Sequence, residues 1–261
     1  MKDMNLNGHR ILLTNDDGIH APGIILLEKI IRRYTDNVWV VAPSEERSGA
    51  SHSISMHDPI RLRSLDDRHH AIKGTPTDCA LMGIYQLMPE PPTMLMSGIN
   101  WGANLAEDIT YSGTAAAAME GALLGVPSIA FSQVHNMSDV YWDTAETFLP
   151  EVLEGILKAG FLPGTFVNVN FPPVPPSEVR GIRVVDQGQR PPGSFLPVKR
   201  TDERSKAYFW IKIAYNPGNA HDGTDLKAIA DGEIAVSPIQ LDMTARAMSE
   251  RLGKAFGSLK G

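Results

Sequence analysis

Cysteine is almost missing from this chain: Cys79 is the only one in 261 residues, so no disulfide can form within it and a cysteine-rich zinc site is excluded. Long hydrophobic runs are missing too. No apolar stretch approaches the ~18 residues expected of a membrane helix. The segment before Arg10 carries Asp3 and polar residues where a secretory signal would need an apolar core. Nor is there a basic excess: 24 Lys+Arg against 30 Asp+Glu leave a net charge of −6, which argues against a broad nucleic-acid footprint. These absences make a reducing cytoplasm the simplest setting, with neither membrane nor nucleic acid as partner. An acidic protein that handles anions must then do so locally, with a metal, backbone amides or a few basic groups.

The pattern that is present begins with Ile11-Leu-Leu-Thr14, an apolar run that stops at Asn15-Asp16-Asp17-Gly18. Pro22 suits a helix entry, and Ile24, Ile25, Leu27, Ile30 and Ile31 follow at helical spacing. Val38 to Ala42 is a second apolar run. Strand, helix and strand in about thirty residues form a βαβ unit, which implies a parallel sheet. Further strands are expected over Thr93–Ser97 and Ser128–Phe131, and helices over about 76–87, 115–124 and 143–159. Beyond residue 165 the character changes: strands at Phe166–Phe171, Gly181–Val185, Ala207–Ala214 and Ala230–Pro238, a Pro-, Arg- and Gly-rich excursion from Gln187 to Arg204, and an amphipathic terminal helix over Thr244–Phe256.

In open α/β sheets, ligands bind at the carboxyl ends of the strands, where Asp16 and Asp17 fall. Alone, Asp-Asp-Gly is a turn. Three later loops bring Ser48, Asn100 and Ser112 to the same edge, and carboxylates with hydroxyl and amide oxygens suit Mg²⁺, Mn²⁺ or Ca²⁺. Adjacent strand residues point oppositely, so both aspartates can face one ion only if the strand breaks, which Gly18 permits. A dinucleotide fingerprint is absent from this turn. A covalent aspartate nucleophile is disfavoured, because Asn15 stands at its place. Ser112-Gly113-Thr114 either caps the Ala-rich helix that follows or offers its free amides to phosphate, and the two roles are compatible. Asn104 is a further candidate for phosphate. Glu107 and Asp108 suit a solvated or structural role, and His20, His52 and His135 receive no role.

Taken together, these segments resemble the SurE (survival protein E) nucleotidases. The matching pieces are Asn15-Asp16-Asp17-Gly18, Arg47-Ser48-Gly49-Ala50-Ser51, Gly74-Thr75-Pro76-Thr77-Asp78, Ser97-Gly98-Ile99-Asn100-x-Gly102-x-Asn104, Tyr111-Ser112-Gly113-Thr114 and Gly223-Thr224-Asp225. The resemblance implies an α/β fold: a Rossmann-like core with a mostly parallel sheet flanked by helices, over residues 1–165. A carboxyl-terminal hairpin and helix extension, within 166–261, would complete one integrated domain and exchange between subunits of a homodimer or dimer of dimers. It implies one divalent cation per subunit held by Asp16, Asp17, Ser48 and Asn100, with phosphate near Asn15, Gly49, Ser112, Gly113 and Thr114. The activity implied is hydrolysis of nucleoside 5′-monophosphates, extending in some members to 3′-monophosphates or short polyphosphate. The expected mechanism is in-line displacement by a metal-activated water, with Asp16 or Asp17 as its base. The alternatives are a broader phosphatase favouring 3′-nucleotides or short polyphosphate and, from another class, a nucleotide-sensing module without catalysis.

Overall fold

The computed structural model describes residues 6–136, 139–213 and 220–257. Strands β1 (Ile11–Thr14), β2 (Val38–Pro43), β3 (Arg61–Ser64), β4 (His69–Lys73), β5 (Met94–Trp101), β6 (Ser128–Gln133), β7 (Thr165–Phe171), β8 (Ile182–Val184) and β11 (Ile234–Gln240) form one nine-stranded sheet. Its order is β3-β4-β2-β1-β5-β6-β7-β11-β8. The six strands from β4 to β7 in that order are mutually parallel, whereas β3 and β11 are antiparallel to their neighbours β4 and β7. Strands β1 and β2 are buried throughout, as parallel strands covered on both faces must be.

Helices cover both faces. Helix α1 (Pro22–Ile31) and α5 (Trp142–Ala159) bury Ile24, Leu27, Ile30, Leu149 and Leu153 with Ile11 and Leu13 on one side. On the other, α2 (Pro76–Met82) and α4 (Gly113–Leu123), which follows the single turn α3 (Asp108–Tyr111), pack Cys79, Ala80, Ala115 and Ala118 on Leu12 and Leu95. The alanines let α4 lie close to the sheet. Because β5-α4-β6 and β6-α5-β7 step in the same direction with helices on opposite faces, the second crossover has the opposite hand to the first. Between β1 and β5 the strand order reverses, and that switch point is where crevices open in such sheets.

Three segments differ from the sequence expectation. β5 runs on past Ser97 to Trp101 through an irregularity between Ser97 and Asn100, because β6 continues alongside to Gln133. Residues 225–230 form helix α6 (Asp225–Ala230), so the last sheet strand starts at Ile234 and not at Ala230. Part of the 187–204 excursion is strand β9 (Phe195–Thr201), paired with β10 (Ala207–Ile213) in a separate hairpin; Ala214, the expected end of that strand, lies outside the described residues. The terminal helix, α7 (Arg246–Phe256), buries no residue. Hairpin and helix leave Phe209, Trp210, Ile211 and Phe256 exposed. Among the described residues no helix is long and apolar enough to cross a membrane.

Candidate active site at the carboxyl edge of the sheet

The chain leaves β1 through Asn15-Asp16-Asp17-Gly18. Asn15 Nδ2 donates to Gly18 O at 2.8 Å and closes the turn, while Gly18 takes a φ of +102°, a conformation that costs glycine little. The break frees the two carboxylates from strand alternation. Asp16 is 4% exposed and accepts the Thr114 hydroxyl at the start of α4. Asp17 is half-buried and accepts the Trp101 N–H on Oδ2 at 3.1 Å. The Thr114 oxygen also lies 3.3 Å from Asn100 Oδ1. Residues from β1, β5 and α4 therefore converge their oxygens on one spot at the switch point.

Helix α4 can come this near because of Gly113. A Cβ on that residue would fall 2.7 Å from Asp16 Cβ and 2.9 Å from Asp16 Oδ2. Ser112 caps the helix by accepting the Ala115 N–H at 3.0 Å, so its own O–H remains able to donate. The loop after β2 is tied in through Arg47 N, which donates to Asp16 O at 2.8 Å.

The electrostatics are uncompensated. Burial pushes the Asp16 carboxyl above its ordinary value, against the pull of the Thr114 hydroxyl and of backbone amides at Thr114 and Gly113. Burial, then the neighbouring Asp16 charge, raise Asp17 to about 6; the Trp101 N–H opposes them and Glu46 adds to them. Neither carboxylate has a cationic partner among the described residues.

The residues singled out from sequence divide into three groups. Asp16, Asn100, Gly113 and Thr114 are brought together, with Asp17 and Ser112 beside them. Ser48 and Gly49 lie exposed on the 44–55 loop, where Ser48 Oγ donates to Glu46 Oε1 at 2.8 Å. Asn15 and Asn104 are turned inward: the first amide holds Gly18, and the second donates to Ser132 Oγ at 2.8 Å. Direct contact of either amide with phosphate would require those bonds to open. Asp108 is structural, paired with the buried Arg190. Sequence reasoning missed Asp78, which accepts Ser55 N and Ser55 Oγ and so pins the far end of the 44–55 loop. Its signal was there, since Thr75-x-x-Asp78 is a capping-box pattern. It also missed the Trp101 amide, whose role depends on β5 continuing past Ser97.

Fold and site define a class: an α/β protein with a Rossmann-like sheet and an acidic, oxygen-lined site at its switch point. Comparison with known proteins narrows this. A family model described as "Survival protein SurE" matches residues 11–193, and the chain belongs to that family. It is 48% identical over 251 residues, 95% of this chain and 99% of the relative, to a protein of Chelativorans sp. (strain BNC1) named 5′-nucleotidase SurE. A Brucella suis protein of the same name is 46% identical over 252 residues, covering 95% and 98%. The crystal structure of the SurE protein from Aquifex aeolicus superposes with a TM-score of 0.82 at 35% identity, covering 95% of this chain and 99% of that one.

Proposed function

We propose that the protein is a divalent-metal-dependent 5′-nucleotidase that hydrolyses nucleoside 5′-monophosphates to nucleoside and phosphate. The observation that carries this is the likeness along nearly the whole of both chains to a relative of that name. The oxygen cluster at the start of α4 supplies the chemistry.

The residues fit a hard cation. Two adjacent carboxylates carry no cationic partner among the described residues and have raised pKa values, the signature of negative charge awaiting a counter-ion. Asn15 Oδ1 beside them is buried without a partner. No group of three His, Cys, Asp or Glu able to hold a metal lies among the described residues, so the carboxylate pair would be completed by neutral oxygens. Asp16, Asp17, Ser48 and Asn100 would hold one Mg²⁺-, Mn²⁺- or Ca²⁺-class ion per chain, Ser48 exchanging Glu46 for it. Once bound, the ion would lower the pKa of water and polarise a phosphoryl oxygen.

The chain's own groups do the rest. In this reading the amino end of α4 turns its positive dipole end toward the phosphoryl oxygens; the Gly113 and Thr114 amides are spent on Asp16, so the Ser112 hydroxyl and Gly49 would be the direct donors, with Gly113 and Thr114 lining the place. These donors stabilise charge that grows on the equatorial oxygens as water attacks phosphorus in line with the ribose 5′-oxygen. Asp17, partly exposed beside Asp16, would accept the proton that the water loses and return it to the ribose 5′-oxygen as the bond from that oxygen to phosphorus breaks and the nucleoside leaves. Asp16 stays fixed by Thr114. Asn15 and Asn104 shape the two loops from behind. A second copy of the chain, in a homodimer or dimer of dimers, would cover the exposed apolar residues of the β9–β10 hairpin and α7.

The test is phosphate release from a panel of 5′- and 3′-monophosphates and short polyphosphate, with Mn²⁺, Mg²⁺ or a chelator. Release from 5′-monophosphates that the chelator abolishes supports the proposal. Tight nucleotide binding without release under any metal would replace it with a sensing module.

A further inference from the structure

We propose that the Trp101 ring, with His135 beside it, is the surface on which the substrate's base stacks, and that it biases the site toward purine nucleotides. This rests on the nucleotidase assignment above. Trp101 follows Asn100 directly, and its backbone N–H is bonded to Asp17 Oδ2 at 3.1 Å, so the ring is rooted in the oxygen cluster. Yet its side chain takes no part in the core: Trp101 is 60% exposed, an unusual position for the largest apolar side chain. A base lies one ribose away from the phosphorus of a 5′-monophosphate, so a ring carried by the residue after Asn100 is the candidate to meet it.

His135 follows the end of β6, beside the Trp101–Gln133 pair of adjacent strands, and the two ring centroids are 6.2 Å apart at 74°. An edge-to-face contact occupies at most one face of the indole and leaves the other free. Gly102 lies between this ring pair and the oxygen cluster: a Cβ there would meet Asn100 Nδ2 at 3.8 Å and His135 Cδ2 at 3.9 Å in ordinary contact, and its φ of +126° is what favours glycine. A second half-exposed ring, Tyr111, packs on Phe195 at a centroid distance of 5.1 Å, and its carbonyl accepts Ser51 N, which ties it to the 44–55 loop and the β9–β10 hairpin, whereas Trp101 is joined through its own N–H to Asp17. Stacking energy follows the area of ring overlap, so a bicyclic purine gains more from an indole than a pyrimidine does.

The experiment measures kcat/KM for AMP, CMP and ribose 5-phosphate in the parent, Trp101→Ala and Trp101→Phe. In Trp101→Ala the ratio of AMP to ribose 5-phosphate should fall roughly tenfold, and the ratio of CMP to ribose 5-phosphate by less. Trp101→Phe should recover most of the loss. An AMP to ribose 5-phosphate ratio unchanged in Trp101→Ala overturns the proposal. If the parent releases phosphate from none of the three, the nucleotidase assignment falls separately, and AMP quenching of indole fluorescence decides the stacking. Quenching lost in Trp101→Phe supports it; equal quenching in both proteins overturns it.

Discussion

Helices α2 and α4 start on the same face of the sheet with similar residues, Gly74-Thr75-Pro76-Thr77-Asp78 and Ser112-Gly113-Thr114, but they end as different objects. The α2 start satisfies itself. Thr75 and Asp78 cap each other at 2.8 and 3.1 Å, Pro76 has no N–H to offer, and the Asp78 carboxylate also takes Ser55 N and Ser55 Oγ. The α4 start has no acid of its own. Its carboxylate is Asp16, brought from β1 across 98 positions of sequence and admitted by the missing side chain of Gly113. A helix start that owns its acid is structure. One that borrows an acid from a neighbouring strand end, with a second acid beside it and no cationic partner among the described residues, is the feature on which the proposed cation site rests.

Substitutions can break this contrast from either side. The largest effect is expected from Asp16→Asn, which keeps the shape and removes the charge. Turnover of AMP should drop by about 10²–10⁴-fold while circular dichroism remains that of the parent. Next comes Gly113→Ala, whose Cβ would press on Asp16 and on Pro76 Cγ at 2.9 Å. Overpacking of this kind costs about 1–3 kcal/mol, read by denaturant titration, and activity should fall with it as α4 backs away from the strand end. Asp78→Ala acts on the other helix. Loss of its cap should cost about 1–2 kcal/mol and reduce kcat less than Gly113→Ala does. A folded Asp78→Ala protein with no turnover would erase the distinction between the two helix starts.

The smallest effect is on pH dependence. Asp17 has a folded value of about 6 against an ordinary 3.8, so in the metal-free protein the folded state binds the extra proton between those limits. Stability should therefore decline as pH rises through this window and level off above it. Thermal unfolding with chelator present should show a higher Tm at pH 5 than at pH 7, a difference that Asp17→Asn reduces. An unchanged difference would place the titration elsewhere.

Much of the frame was legible from residues alone. The βαβ start, the acid pair at a strand end and the small-residue opening of α4 all follow from local pattern, and the order of motifs fixed the family. What escaped was decided at long range. β5 extends to Trp101 only because β6 runs beside it to Gln133. Helix α6 is six residues long, too short for periodicity to reveal, and Asp225 is held by amides of Ala106 and Gly188 from distant loops. β9 reads as an irregular excursion because Pro197 interrupts it; its pairing with β10 makes it a strand. In the site, residue types could not tell which amides join the oxygen cluster: Asn100 Oδ1 accepts from the Thr114 hydroxyl, while Asn15 closes its turn on Gly18 and Asn104 ties its loop to Ser132 of β6.

On the proposed reading, Asp16 and Asp17 turn the start of α4 into a site for a divalent ion. Calorimetric titration of the chelator-treated protein with Mn²⁺ should find one ion per chain in the parent and none bound at that site in Asp16→Asn. One site of unchanged affinity in Asp16→Asn would contradict it.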